Sequence, residues 1–181
     1  AAVRAELERQ EAALGATITE VLPARTTIHP GQELTIEVRL QPQRALSVRQ
    51  TLRIQVPASL APGPVDLIVA DGAAWSEYRI KTEAISPASF SDQLAQLSAL
   101  ESSAILIAAL ETRERGVAGP GVSQPALPPS WAATLAAGLG PRALTRLAAA
   151  TLTTTRWSAP YPLEGAFRIP LTVQPILLEG K

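Results

Sequence analysis

The chain contains a single histidine, His29, and this count limits the acid–base chemistry that it could perform. A serine hydrolase uses a histidine to take a proton from the nucleophile and an acid to orient the imidazole ring. Here His29 would have to meet a serine such as Ser47 or Ser59 and an acid such as Asp66. His29 directly precedes a Pro-Gly pair, which is typical of a turn. The sequence therefore favours a turn residue over a catalytic one.

Carboxylate, metal and phosphate chemistry find little support. Asp71 and Glu77 could suggest a glycosidase-type pair, but Asp71 opens a turn signal and Glu77 falls on an expected solvent face. A metal site would depend on Asp and Glu ligands, and the aspartates are scattered at Asp66, Asp71 and Asp92. The glycine-rich residues 116–121 lack the Lys-Ser/Thr of a phosphate-binding loop and are expected to form a loop. We predict no catalytic, metal-binding or cofactor-binding residues.

The aromatic residues are few, and each has a structural and a binding interpretation. Trp75 and Tyr78 follow an expected strand and could form a surface binding patch. Core packing is the favoured use, because the chain has only three Trp, two Tyr and two Phe. Trp131 and Trp157 are likewise expected in the core or at helix–sheet contacts.

Length and composition limit the kinds of protein that this chain could be. The 181 residues suit one domain, and 46% of them are hydrophobic, which is ample for a core. Sixteen basic and sixteen acidic residues cancel, so charge gives no reason to expect a nucleic-acid partner. There is no cysteine, and no apolar run reaches the roughly 18–20 residues of a membrane span. Methionine is absent even at position 1, so we expect a piece excised from a longer precursor.

The elements that must position any site are mostly strands. Residues 33–56 alternate apolar and polar side chains on both sides of a short polar stretch, which predicts a β-hairpin with one buried face. The favoured register places Val38 opposite Val48 and Glu37 opposite Arg49. Gln50 falls on the buried face, where it marks either a bulge or the point at which the hairpin leaves the core.

The remaining pattern predicts more strands than helices. The last two strands should pair through a turn at residues 158–162, with Pro170 favouring an edge position. Residues 1–15 are expected to form an N-terminal helix or linker, and residues 16–181 a single β-rich domain. Expected strands lie at residues 17–22, 65–70, 77–82, 104–110, 144–157 and 163–174, helices at 89–101 and 129–138, and a long surface loop at 112–129. This order predicts a mainly β fold, an immunoglobulin-like sandwich or a related antiparallel domain with two or three short helices, with α+β as the alternative.

Three stretches carry a resemblance to a known kind of domain. They are residues 25–38 (RTTIHPGQELTIEV), 56–72 (VPASLAPGPVDLIVADG), and 127–131 (LPPSW) with 163–173 (LEGAFRIPLTV). Together they resemble the β-rich region that follows a serine peptidase domain of the stage IV sporulation protein B type in exported bacterial proteins. The first stretch is also similar to bacterial immunoglobulin-like modules. The peptidase's own serine and histidine motifs are not present in this sequence, so the resemblance carries over no functional residue.

The resemblance implies a non-catalytic accessory or interaction module of an exported, periplasmic or cell-envelope protein. Its partners would be other domains of the parent chain or an envelope protein, reached through a sheet face or the loop at residues 112–129. A fragment of a serine-type hydrolase is the alternative. Self-association through the N-terminal helix or an exposed sheet edge is a third interpretation.

Overall fold

The computed structural model describes residues 14–83, 94, 97–113, 117–119, 122–124, 145–146 and 149–175. Within these residues the protein is mainly β, as predicted, with one helix, α1, at Gly72–Glu83. The strands are β1 (Ala16–Pro23), β2 (Thr27–Ile28), β3 (Glu33–Pro42), β4 (Val48–Gln55), β5 (Gly63–Asp71), β6 (Ile105–Arg113), β7 (Val117–Gly119), β8 (Val122–Gln124), β9 (Thr145–Arg146), β10 (Ala149–Ser158), β11 (Leu163–Glu164) and β12 (Ala166–Val173).

Two sheets face each other across the main core, giving a sandwich-like domain. One has the strand order β11-β1-β3-β4, and the other has the order β10-β6-β5-β12-β2. A small third sheet has the strand order β8-β7-β9, and its strands come from the part of the sequence between β6 and β10. Alternating inward side chains from both large sheets form one apolar cluster. Its fully buried members include Leu34, Ile36, Val38, Leu40, Ile54, Leu67, Val69, Leu106, Ala108 and Leu110.

Strand β5 lies at the centre of the five-stranded sheet and is covered on both faces. Every residue from Val65 to Asp71 is buried, which explains why the residues from Leu67 to Ala70 are all apolar and do not alternate with polar ones. Val69 and its inward neighbours pack against the four-stranded sheet. Ile68 and Ala70 point to the other face, where they form a second apolar cluster with α1. The predicted core strand at residues 65–70 is confirmed.

The predicted hairpin is confirmed, but its register is wrong by two residues. Val38 lies opposite Gln50 and not opposite Val48. The reason is that β3 continues to Pro42, whose partner is Ala16 at the start of β1. This long-range pairing moves the hairpin turn toward the C-terminus, and β4 begins later than local alternation suggests.

The charge pairing on the solvent face survives the change of register. Arg49 contacts Glu37 at 3.6 Å, and Arg53 contacts Glu33 at 3.8 Å. Both are now diagonal contacts, because neither arginine lies directly opposite its glutamate. Gln50 stays in register and is half-buried near the start of β4, so it marks the point where the strand leaves the core.

The predicted pairing of the last two strands is wrong. β10 pairs with β6, and β12 pairs with β5 on one side and with the short β2 on the other. The segment between β10 and β12 crosses to the four-stranded sheet, where its short strand β11 pairs in parallel with β1. Pro170 is exposed, and β2 reaches only Thr172 and Val173. The expected edge-like position of Pro170 is therefore confirmed, because none of the described strands pairs with that part of β12 on its outer side.

Residues 77–82, predicted as a strand, belong to α1 instead. Asp71 caps the first turn of this helix, and Trp75 is buried against the sheet at 2% exposure. Trp75 and Tyr78 are three residues apart, so they share one helix face. Tertiary packing of that face overrides the short alternation of the sequence.

The expected loop at residues 112–129 is only partly confirmed. β6 runs to Arg113, and β7 and β8 form a short antiparallel pair within the expected loop. Residues 125–129, together with the predicted helix at 129–138 and the N-terminal residues 1–13, lie outside the described residues. Of the predicted helix at residues 89–101, the described residues Leu94, Leu97 and Ser98 are helical. In the described ranges, no helix combines the length and apolar character of a membrane span.

Candidate functional site

Titratable side chains converge at one place in the described structure, on the outer face of the five-stranded sheet. Asp66 on β5 lies directly opposite Glu111 on β6, and Glu111 lies opposite Thr151 on β10. Directly opposite residues of neighbouring strands share a face. Arg168 on β12 and Tyr78 on α1 complete the group, which we call the Glu111 cluster.

The carboxylate of Glu111 is buried, and both of its oxygens accept hydrogen bonds. The Tyr78 hydroxyl donates to Oε2 at 2.5 Å, and the Thr151 hydroxyl donates to Oε1 at 3.2 Å. Glu111 is only 2% exposed. Burial raises the pKa of Glu111 and outweighs the hydrogen bonds from Tyr78 and Thr151, which lower it. The side chain is thus a buried carboxyl group held in place by a helix and a neighbouring strand.

Tyr78 serves as the hydrogen-bond donor of the cluster. Burial is the largest cause that raises the pKa of its hydroxyl, and the hydrogen bond to Glu111 adds to the effect. The phenol therefore keeps its proton throughout the neutral range. Tyr78 also packs against the second apolar cluster, and its ring centroid is 5.8 Å from that of Trp75. Both aromatics thus pack in or against the core, which confirms the favoured prediction.

Asp66 forms an ion pair with an arginine that reaches the cluster from the solvent side. Arg168 Nε lies 3.1 Å from Asp66 Oδ2, and the side chains are 47% and 3% exposed, respectively. The same guanidinium approaches the Tyr78 hydroxyl at 3.5 Å. A cation at this position offsets the burial of two adjacent carboxylates. The cluster thus fastens α1 to β5, β6, β10 and β12.

The first turn of α1 is fixed by a second buried acid, Asp71. Its Oδ1 accepts hydrogen bonds from the backbone N–H groups of Ala73 and Ala74, at 2.9 and 3.0 Å. This is the arrangement of a helix N-cap. Its Oδ2 accepts a hydrogen bond from the backbone N–H of Gly165 at 3.0 Å. Asp71 therefore has a structural use that turn chemistry in the sequence only partly indicated.

Glu77, the other half of the carboxylate pair considered from the sequence, lies elsewhere on α1. Its carboxylate contacts Lys81 Nζ at 2.6 Å in an exposed pair one helical turn apart. The hydrogen bond from Lys81 lowers the pKa of Glu77. Asp71 is buried and bound to the backbone. The two acids therefore have separate partners.

A close backbone contact explains why glycine follows Asp71. A Cβ atom on Gly72 would lie 2.1 Å from the carbonyl oxygen of Ser102. The Ser76 hydroxyl donates to the Gly72 carbonyl at 2.7 Å and accepts from the Glu101 N–H at 2.8 Å. Arg156 on β10 then contacts Glu101 at 3.0 Å. The segment that enters β6 is thus tied tightly to the start of α1.

His29 occupies a turn, as predicted. Its carbonyl accepts a hydrogen bond from the Gln32 N–H at 3.2 Å, and Gly31 has φ of 77°, the geometry of a type II turn. The ring Nδ1 lies 3.0 Å from the carbonyl oxygen of Gln174. The imidazole therefore links this turn to the end of β12.

The residues considered for a hydrolytic triad lie on different parts of the fold. Asp66 contacts Arg168 on the outer sheet face, whereas the His29 ring contacts a backbone carbonyl. Ser47 and Ser59 are exposed, one before β4 and the other after it. Among the residues that the structure describes, no group of three or more His, Asp or Glu side chains is placed to hold a metal ion.

Sequence reasoning missed the Glu111 cluster, although it identified some of its members. The sequence suggests other roles for Asp66 and Tyr78, and it singles out neither Arg168 nor Glu111. Alternation within β5 and β6 does place Asp66 and Glu111 on the faces of Ile68 and Ala109. The signal that joins them is the pairing register of β5 with β6, which is not visible in either strand alone.

Two further sequence expectations concern tryptophans. Trp157 is half-buried and packs against the main apolar core, as predicted. Trp131 lies outside the described residues. Comparisons of the chain with models of protein families, with curated proteins and with solved structures found no match.

Proposed function

We propose that this chain is a non-catalytic interaction module, an accessory domain of a longer exported bacterial protein. The main observation in support of this proposal is that the buried acidic side chains all bind groups of the protein itself. Asp71 caps a helix, Glu111 accepts bonds from Tyr78 and Thr151, and Asp66 holds Arg168. Each acid is committed to holding α1 or neighbouring strands together.

The position of His29 supports the same proposal. A general base must reach the proton that it abstracts, directly or through one water. The described hydrogen bond of the His29 ring goes to the Gln174 carbonyl. The serines considered with it, Ser47 and Ser59, are exposed on either side of β4. This arrangement favours a structural role for the one side chain that could act as an ordinary proton shuttle.

The exposed face of the four-stranded sheet is the surface that we assign to binding. It presents acidic and basic side chains that form three ion pairs across the sheet, Arg39–Glu20, Arg49–Glu37 and Arg53–Glu33. Complementary charges on a partner domain would fix the orientation in which it binds such a face. We propose other domains of the parent chain or an envelope protein as partners, and no nucleic acid. Export to the periplasm or cell envelope rests on the resemblance of residues 25–38, 56–72 and 163–173.

A serine-reactive phosphonate probe tests the absence of catalysis. The purified chain should be labelled no more than its His29→Ala, Ser47→Ala and Ser59→Ala variants. Labelling that requires both His29 and one of the two serines would overturn the proposal and favour the hydrolase interpretation.

Binding is tested with the parent protein. A photo-crosslinking residue at Thr35, on the exposed sheet face, should give discrete adducts with a neighbouring domain or an envelope protein. The same residue placed at exposed Ala73 on α1 provides a matched control on the opposite side of the molecule. Equal yields of the same adducts from both positions, or none from Thr35, would contradict the assignment of this face.

A further inference from the structure

We propose that the free edge of β4 binds an extended acidic segment of a partner protein by strand addition. This inference rests on the proposed interaction function, adds the edge of the same sheet to the exposed face as a binding surface, and gives the chemistry of the partner. β4 is the last strand of the four-stranded sheet and pairs with β3 over eight residues, from Glu33–Gln55 to Leu40–Val48. Among the described strands, none pairs with its other side. An unpaired edge offers backbone N–H and C=O groups to an incoming strand.

The core is open beside this edge. Inward-facing Val48 is 43% exposed and Gln50 is half-buried, whereas Val38, opposite Gln50, is fully buried. Thr153 and Thr155 on β10 lie opposite the core residues Leu110 and Ala108 and are also half-buried. β10 is the edge of the other sheet and lies close to β4. The two sheets thus meet along a partly open seam with polar inward positions.

The charge of the seam selects the partner. β4 contains two arginines, Arg49 and Arg53, and no acidic residue, in a chain with equal numbers of basic and acidic residues. Arg49 and Arg53 point to the solvent face of β4 and are 66% and 70% exposed. A residue on an added strand would lie about 4.5–5.5 Å from the β4 residue that it faces. Acidic residues four positions apart on that strand would therefore meet both arginines.

The existing partners of the two arginines are held loosely. Arg49 lies 3.6 Å from Glu37, and Arg53 lies 3.8 Å from Glu33, whereas Arg39 in the middle of the sheet lies 2.7 Å from Glu20. Exposed pairs of this kind contribute little to stability, because solvent screens them and both side chains lose conformational freedom. Little is lost when the guanidinium groups turn toward an acidic strand. The same arginines disfavour a second copy of β4, because pairing about Thr51 would set Arg49 against Arg53.

The probe is a fluorescent octapeptide, TEVTVEVT, which matches the eight residues of β4 and carries glutamates four positions apart. Fluorescence anisotropy should show saturable binding that weakens with salt, and amide chemical shifts should change along residues 48–55. In the Arg49→Gln/Arg53→Gln double variant we expect binding at least about tenfold weaker. Lys81→Gln, at an exposed cation on α1 on the opposite side of the molecule, is the control and should change affinity by less than about twofold.

Two control peptides separate strand addition from simple charge attraction. A peptide with lysines in place of the glutamates should not bind. A peptide N-methylated at alternate residues keeps the charges but loses backbone donors, and it should also fail to bind. Circular dichroism checks that the double variant is folded, as expected for two exposed positions.

Three outcomes would overturn the inference. They are no saturable binding of the octapeptide, equal affinity for the double variant, and equal affinity of the N-methylated peptide. Sedimentation that shows a dimer abolished by the double variant would instead assign the edge to a second copy and also overturn it. None of these results affects the serine-labelling test, so a failure of this inference is distinguishable from a failure of the proposed function.

Discussion

The Asp71 carboxylate joins the start of helix α1 to the Gly165 backbone, although the two residues are 94 positions apart in the chain. Its Oδ2 accepts from the Gly165 N–H at 3.0 Å, and the Gly165 carbonyl accepts from the Asp71 N–H at 3.0 Å. Gly165 has φ of 138°, a region that favours glycine. This reciprocal contact fixes the entry to β12 against the end of β5, beneath the first turn of α1.

Replacing Asp71 with alanine should therefore remove two kinds of stabilisation at once. The helix loses its N-cap, and the partly buried N–H of Gly165 loses its acceptor, for an expected loss of about 2–4 kcal/mol in the free energy of unfolding. Asp71→Asn should lose less, because its side-chain oxygen can still cap the helix. Urea denaturation measures both. Glu77→Ala, on the exposed face of the same helix, is the control and should have little effect. Equal losses for Asp71→Ala and Glu77→Ala would contradict the assigned role.

Gly72→Ala should destabilise the protein through a steric clash. The added Cβ would lie 2.1 Å from the Ser102 carbonyl oxygen and 2.9 Å from Glu101 Cβ. Because the first of these atoms belongs to the backbone, relief requires movement of the segment that enters β6. We expect a loss of about 1–3 kcal/mol, the usual cost of overpacking. Ala73→Ser, at the next and exposed position, should leave the thermal midpoint almost unchanged. A Gly72→Ala variant as stable as the parent would show that this segment moves freely.

Glu111→Gln should change how stability depends on pH. Burial raises the pKa of Glu111 above its ordinary value, so the stability contributed by this group is full below its unfolded pKa and is lost as pH rises through the folded pKa. Glutamine cannot ionise and can still accept the bond from Tyr78. The variant should therefore gain stability relative to the wild type as pH increases from about 4 to 8. Chemical denaturation across this range measures the difference, and Glu164→Gln, an exposed acid on β11, is the control. A difference that stays constant or falls with pH would refute the prediction.

Tyr78→Phe should leave one oxygen of a buried carboxylate without its donor. We expect a loss of about 1–3 kcal/mol at neutral pH, because the Tyr78 hydroxyl donates to Glu111 Oε2. The loss should shrink in the Glu111→Gln background, where no charge is buried. A double-mutant cycle measures this coupling. Tyr161→Phe, at a half-buried tyrosine outside the cluster, is the matched control. Additive effects of Tyr78→Phe and Glu111→Gln would mean that the two side chains do not act together.

Local sequence pattern was sufficient to locate most strands. The alternation through Leu34, Ile36, Val38 and Leu40 predicted β3 correctly, because a strand with one buried face must place apolar side chains at every second residue. The Pro-Gly pair before β3 predicted its turn, since Gly31 adopts the positive φ that such a turn requires. The strand pattern and the turn both depend only on residues close together in the chain, so the local sequence is enough to predict them.

Helix α1 shows where local pattern was insufficient. Tyr78, Ile80 and Thr82 alternate with polar residues and are compatible with a short strand. The helix forms because Asp71 caps it and because Trp75 and Tyr78 together cover Ile68, Ala70, Ile107 and Ala109 on the sheet. That apolar surface is formed by β5 and β6 together, so it cannot be inferred from the sequence of the helix alone.

Register and strand order were decided only by the tertiary structure. The hairpin shifted by two residues because Pro42 pairs with Ala16, and β10 joined β6 although the turn at residues 158–162 suggested a partner in β12. The same long-range pairing brings Asp66 beside Glu111 and so creates the cluster beneath α1. Alternation determines which side chains a strand buries, but the same alternation is compatible with pairing to any of several strands. The choice among partners depends on the combined packing of both sheets, which no single stretch of sequence specifies.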